Sequence, residues 1–287
     1  MPALGTILTA IVTPFDDDGA FDEDAFVALH RHVVRLGSDG VVACGTTGEA
    51  STLSDEEHLR VIELAVAEKP EGTTVIAGTG SNDTRHAVEM TERATALGVD
   101  GILSVTPYYN KPPRRGLIAH YTEIAKATDK PIVLYNIPQR TGLDMPNDLL
   151  AELAQIDGIE AVKQANHANL APVDGLRIYA GNDDMLADVL DLGEAGGILT
   201  GSHLVGDRMR SMVDASPEER RRIEDGLRPL YEALGRHPAA MVLKAALELI
   251  GIRAGRPRLP YVELDEAERA ELRGALEREG LLEAARS

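Results

Sequence analysis

The chain has 287 residues, with 29 Lys and Arg against 47 Asp and Glu, a formal net charge of −18. That balance argues against nucleic acid and anionic membranes as partners, because both are held through basic patches. Hydrophobic residues make up 44% and tryptophan is absent, a composition that still allows one sizeable core.

The single cysteine, Cys44, lies in the apolar run Gly40-Val41-Val42-Ala43-Cys44 and reads as a buried small residue. No intrachain disulfide is possible, which fits a reducing cytoplasm. The first residues carry no basic head of a signal peptide, and no apolar run approaches the roughly eighteen residues of a membrane span. A cytoplasmic protein is expected.

Eight short apolar runs read as strands: Ile7 to Val12, Val41 to Cys44, Thr74 to Ala77, Gly101 to Val105, Pro131 to Tyr135, Ile159 to Lys163, Leu176 to Ala180 and Gly197 to Thr200. Amphipathic stretches alternate with them, among them Phe26 to Leu36, Glu57 to Glu68, Ala87 to Leu97 and Leu117 to Thr128. Near-continuous apolar strands separated by helices predict a parallel sheet closed into a (β/α)₈ TIM barrel, with a doubly wound open sheet as the alternative. Ser54-Asp-Glu-Glu, Ser216-Pro-Glu-Glu and Asp265-Glu-Ala-Glu read as capping boxes that start helices. Further helical segments are expected at Asp207 to Val213, Glu218 to Leu234, Ala239 to Ile250 and from Glu266 onward. The expected division is residues 1–225 as barrel and 226–287 as a C-terminal helical extension packed on it.

A TIM barrel carries its active site at the C-terminal ends of its strands. There the sequence places Gly45-Thr46-Thr47-Gly48-Glu49, Gly78-Thr79-Gly80-Ser81-Asn82, Thr106-Pro107-Tyr108-Tyr109-Asn110, Tyr135-Asn136-Ile137-Pro138-Gln139-Arg140-Thr141-Gly142, Lys163 and Gly181-Asn182-Asp183-Asp184. The Gly-Thr-Thr-Gly turn offers N–H groups and hydroxyls to a small carboxylate. The carboxylates after Gly181 speak against a phosphorylated substrate. The histidines are scattered, with no His-Glu-x-x-His and no ligand cluster, which disfavours a metal-dependent aldolase and predicts no metal and no other cofactor.

Lys163 ends the run Ile159-Glu160-Ala161-Val162-Lys163, where desolvation would lower its pKa and leave a nucleophilic amine; the plain alternative is a stem on apolar surface with its head in water. Tyr135 ends the neighbouring strand, and Arg140 follows it where a rim arginine could grip a substrate carboxylate. A lysine nucleophile, hydroxyl proton carriers and carboxylate holders are the parts of a metal-free keto-acid aldolase.

At these residues the sequence resembles the dihydrodipicolinate synthase/N-acetylneuraminate lyase superfamily. The motifs are Gly-Thr-Thr-Gly-Glu, Thr-Pro-Tyr-Tyr-Asn, Tyr-Asn-Ile-Pro-x-Arg-Thr-Gly and the strand lysine, and the likeness covers essentially the whole chain. The resemblance implies that Lys163 forms an imine with pyruvate and that Tyr135 shuttles protons. Thr46 would link Tyr135 to Tyr109, which in this family reaches in from a neighbouring subunit, so a homodimer or homotetramer is implied. Thr47, Gly181 and the backbone at Ile198 would hold substrate, and Arg140 would orient the carboxylate of L-aspartate 4-semialdehyde. The implied reaction belongs to lysine and diaminopimelate biosynthesis. A class I aldolase cleaving a sugar-derived or hydroxy 2-keto acid is the alternative, and a silent keto-acid binder the third. Members inhibited by lysine bind it near positions matching Ala50, Ser51, Asp55, His58, Asn82, His86 and Tyr108. Here His86 replaces the usual glutamate and Asp55 a frequent histidine, so the effector carboxylate is missing at position 86, which argues against lysine feedback.

Overall fold

A computed structural model describes residues 4–282. Its eight strands are β1 (Ile7–Ala10), β2 (Gly40–Ala43), β3 (Thr74–Gly78), β4 (Gly101–Val105), β5 (Ile132–Asn136), β6 (Ile159–Gln164), β7 (Arg177–Ala180) and β8 (Gly196–Leu199). They pair in parallel in chain order, and β8 returns to β1, giving a closed barrel. The TIM barrel expected from the apolar runs is therefore present, and the open-sheet alternative is not.

Period-2 alternation divides each strand between two layers. Leu8, Val42, Ile76, Leu103, Val133, Ala161 and Ile198 pack together inside the barrel, while Ile7, Val41, Val75, Ile102, Leu134, Val162 and Leu199 face the surrounding helices. Those helices are α1 (Glu23–Arg35), α2 (Asp55–Ala67), α3 (Thr84–Ala96), α4 (Arg114–Lys126), the single turn α5 (Pro138–Thr141), α6 (Asn147–Leu153), α7 (Leu186–Asp191) and α8 (Ser202–Asp214). The alternation fails at one place. Between β6 and β7 lie only residues 165–176, with a 3₁₀ turn at His167–Asn169 and no α-helix. Asn166 caps that turn, and Pro172 lacks the N–H a continuing helix would need.

Beyond the barrel, α9 (Pro217–Leu234) lies on α7 and α8, and α11 (Glu266–Arg278) packs on α9 and α10 (Ala239–Leu249). The expected division after residue 225 falls inside α9. Among the described residues no helix is long and apolar enough to cross a membrane. Between α10 and α11 an irregular strap returns to the barrel. Its Gly255, at φ +67°, lies so close to β1's loop that a Cβ would sit 1.8 Å from the Phe15 carbonyl oxygen.

The caps differ in completeness. Ser54 and Asp265 each form the full reciprocal box, with Glu57 and Glu268 respectively. Ser216 accepts from the Glu219 N–H, but the expected return bond from the Glu219 side chain is not formed, so only half of that box exists. Replacing Ser216 by Ala should cost about 1 kcal/mol, the worth of one cap bond. Ser54→Ala should cost more, because it strands the Glu57 N–H and loosens the reciprocal bond; urea unfolding midpoints of the two variants would show the order.

Candidate active site

Lys163 and Tyr135 sit opposite each other in the β5–β6 register, and the alternation that sends Ala161 and Val133 into the barrel sends both inward. Lys163 is 5% exposed, and its Nζ lies 4.4 Å from the centroid of the Tyr135 ring. Burial pulls the Lys163 amine down to about 8; the Asp183 carboxylate opposes the shift and Arg140 adds to it. Burial also pushes the Tyr135 phenol up to about 12, with Arg140 acting the other way. At neutral pH the pair is thus an amine with an accessible free-base form beside a protonated phenol.

Asp183, after β7, is tied to the end of β8. Its carboxylate accepts from the Thr200 N–H (2.9 Å), the Thr200 hydroxyl (2.8 Å) and the Gly201 N–H (3.0 Å). These are donors that a phosphate would need at this position, so the carboxylate both occupies that cradle and places negative charge near Lys163. The Gly181 N–H donates to the Gln164 carbonyl at 2.8 Å, which sets Gly181 beside the end of β6. Ile198 is fully buried with its side chain in the barrel interior.

The Gly45–Glu49 turn leaves Thr46 exposed and Thr47 buried. The Thr13 hydroxyl donates to the Gly48 carbonyl at 2.7 Å, fixing the turn to β1's loop. Cys44 is buried, and burial pushes its thiol well above the usual range, as expected of a structural cysteine. A cleft of about 610 Å³ opens here, with Thr46, Tyr135 and Arg140 among its lining residues. Ala50, Ser51, His58, His86 and Tyr108 line it too. Asn82 stands beside the mouth, its amide donating to the Tyr108 carbonyl at 3.2 Å. Asp55, on α2, also lines the cleft and accepts from His86 Nε2 at 3.0 Å. The His58 ring donates to the Gly78 carbonyl at 2.8 Å.

Tyr109 stands apart from this group. It is 89% exposed and lies in a loop where both Tyr109 (φ 74°) and Lys111 (φ 45°) occupy the left-handed region. Asn110 anchors that loop by donating to the Asn82 carbonyl at 2.8 Å. Among the described residues no group of three or more His, Cys, Asp or Glu is arranged to hold a metal ion.

Among the buried charges that escaped the sequence reading, two meet behind the Gly45–Glu49 turn. Glu49 and Lys244 form an ion pair at 2.6 Å, with side chains 0% and 1% exposed. The signal was available: Lys244 is the lone charge in Ala239-Ala-Met-Val-Leu-Lys-Ala-Ala-Leu247, the same kind of context that drew attention to Lys163.

Against known proteins, residues 3–279 match the model of the dihydrodipicolinate synthetase family. A 4-hydroxy-tetrahydrodipicolinate synthase of Thermosynechococcus vestitus is 42% identical, over 98% of this chain and 99% of that one. The crystal structure of a dihydrodipicolinate synthase from Bacillus anthracis superposes with a TM-score of 0.93 at 33% identity, over 96% and 99% of the two chains. A dihydrodipicolinate synthase of Acinetobacter baumannii, crystallised with pyruvate, gives 0.92 at 35%, over 97% and 99%. With a buried strand lysine, a facing tyrosine and these likenesses along almost its whole length, the chain belongs to the dihydrodipicolinate synthetase family.

Proposed function

We propose that this chain condenses pyruvate with L-aspartate 4-semialdehyde to 4-hydroxy-tetrahydrodipicolinate, through an imine on Lys163. The observation that carries the site assignment is the buried Lys163 amine, lowered to about 8 and 4.4 Å from the Tyr135 ring centroid. The identity of the relatives supports the reaction.

The free amine of Lys163 adds to C2 of pyruvate, and water leaves to give the imine. Loss of a proton from C3 gives the enamine, whose carbon attacks the aldehyde carbon while the aldehyde oxygen takes a proton. The amino group of the second substrate then displaces Lys163 at C2, closing the ring and returning the free lysine. The imine is the electron sink, so the steps call for no cofactor. Tyr135, protonated at neutral pH, donates and recovers protons at C2, with Thr46 as the next hydroxyl of the relay. Thr47, Gly181 and the backbone at Ile198 hold the pyruvate end. Arg140, at the cleft rim, holds the carboxylate of the aldehyde partner.

The relay is completed by Tyr109 from a second copy of the chain. The support is its position: a phenol 89% exposed, on a loop where it and Lys111 take left-handed conformations. A homodimer is then the smallest complete unit, and a tetramer a pair of such dimers. The buried lone thiol of Cys44 suits a cytoplasmic setting. Ala50, Ser51, Asp55, His58, His86 and Tyr108 on the cleft wall, with Asn82 bonded to the Tyr108 carbonyl, form an effector pocket.

Lys163→Ala should abolish condensation of pyruvate with aspartate semialdehyde in a product assay, whereas turnover near the native rate would refute the imine. Arg140→Ala should raise KM for the aldehyde at least about tenfold with little change for pyruvate, since removing a charged hydrogen bond costs about 1.5–3 kcal/mol. Tyr109→Phe should lower kcat roughly 10²-fold, the scale of one proton-transfer group, while pyruvate affinity holds. Imine formation should rise with pH through a midpoint near 8, because only the deprotonated amine attacks. At pH 7 roughly a tenth of Lys163 is free base, against about one in three thousand for an unperturbed lysine.

A further inference from the structure

Glu49 closes the Gly-Thr-Thr-Gly-Glu turn in a left-handed conformation, at φ 55° and ψ 35°, and its side chain is 0% exposed. A non-glycine residue persists there only where its surroundings hold it. The holding groups come from the far end of the chain. Lys244, on α10, reaches Glu49 Oε1 at 2.6 Å, and the backbone N–H of Arg258, on the strap before α11, donates to Oε2 at 2.9 Å. Lys244 Nζ also donates to the Arg256 carbonyl at 3.2 Å.

The same residue holds the turn through its backbone. The Glu49 N–H donates to the Thr46 carbonyl at 3.2 Å, and the Glu49 carbonyl accepts from the Thr52 N–H at 2.9 Å. The Arg258 guanidinium binds the Thr52 and Gly19 carbonyls and the Glu57 carboxylate, closing the turn's exit. Phe15 lies within reach of both cations, with Lys244 Nζ 3.9 Å and the Arg258 guanidinium 4.1 Å from its ring centroid.

A buried pair of this kind is weak evidence of stabilisation, because well-packed apolar residues often serve stability as well or better. A connection that runs Lys244–Glu49–Thr46 makes sense as geometry. We propose that Glu49 and Lys244 are positioning residues, through which the C-terminal extension sets the place of the Thr46 hydroxyl. This rests on the imine reading above and extends it: the helices outside the barrel determine proton transfer within it. Lys163 is held by β6 and owes nothing to this chain of contacts.

The test is exchange of the pyruvate methyl protons in D₂O, followed by proton NMR, alongside pyruvate affinity by titration calorimetry. It uses the full-length native protein, Lys244→Met, and the double variant Glu49→Gln/Lys244→Met, which buries no lone charge and so keeps the test available if the single variant fails to fold. Folded variants should exchange at least about tenfold more slowly than the native protein, the effect of a misplaced proton carrier. Pyruvate affinity should stay within about threefold, since the imine-forming lysine is untouched. Exchange within about twofold of native in the folded double variant would overturn the proposal, as would affinity and exchange falling in parallel. No exchange in the native protein would instead overturn the imine reading itself, and this proposal with it.

Discussion

The site depends on one desolvated amine. Lys163 sits where β6 turns its side chains into the barrel, and burial brings its pKa from 10.5 to about 8. Such a shift means that the charged form costs on the order of 3 kcal/mol more in the folded than in the unfolded chain. The folded state therefore binds fewer protons between those values, and this contribution becomes more favourable as pH rises from about 8 to 10.5. The barrel tolerates the cost because the rest of its interior is apolar and closed. Asp183 keeps the shift from going further, and Tyr135 presents its ring face to the amine.

Around that amine the rim is assembled from separate strand ends, each with its own anchor. Asp183 binds the end of β7 to the end of β8. Thr13 fixes Gly48, and Glu49 fixes Thr46 from the opposite side. The Asn82 and Asn110 amides lock the β3 and β4 loops to each other. The extension is thus part of the rim, because α10 and its following strap supply Lys244 and Arg258 to the second strand's turn.

Most of the architecture was legible because each strand is a short apolar run bounded by loop residues. All eight were placed to within one or two residues. Helix starts were less clear: α1 begins at Glu23 and α3 at Thr84, each three residues before the apolar pattern, because Asp22 and Asp83 cap them. The helix expected between β6 and β7 is absent because the segment is short and carries Pro172. At the site, the inward placement of Lys163 and Tyr135 followed from period 2. The contact between Glu49 and Lys244 could not, since it joins parts of the chain brought together only when the C-terminal extension packs on the barrel. Nor could the hydrogen bond between Asp55 and His86, which joins neighbouring helices.

The central claim is that Lys163 is the covalent nucleophile. Borohydride reduction of the protein in the presence of pyruvate, followed by peptide mass spectrometry, tests it most directly. The account predicts a reduced pyruvate adduct on the peptide containing Lys163 and none on Lys244, whose amine is engaged by Glu49. A folded protein that yields no adduct, or carries it on another lysine, would contradict the account.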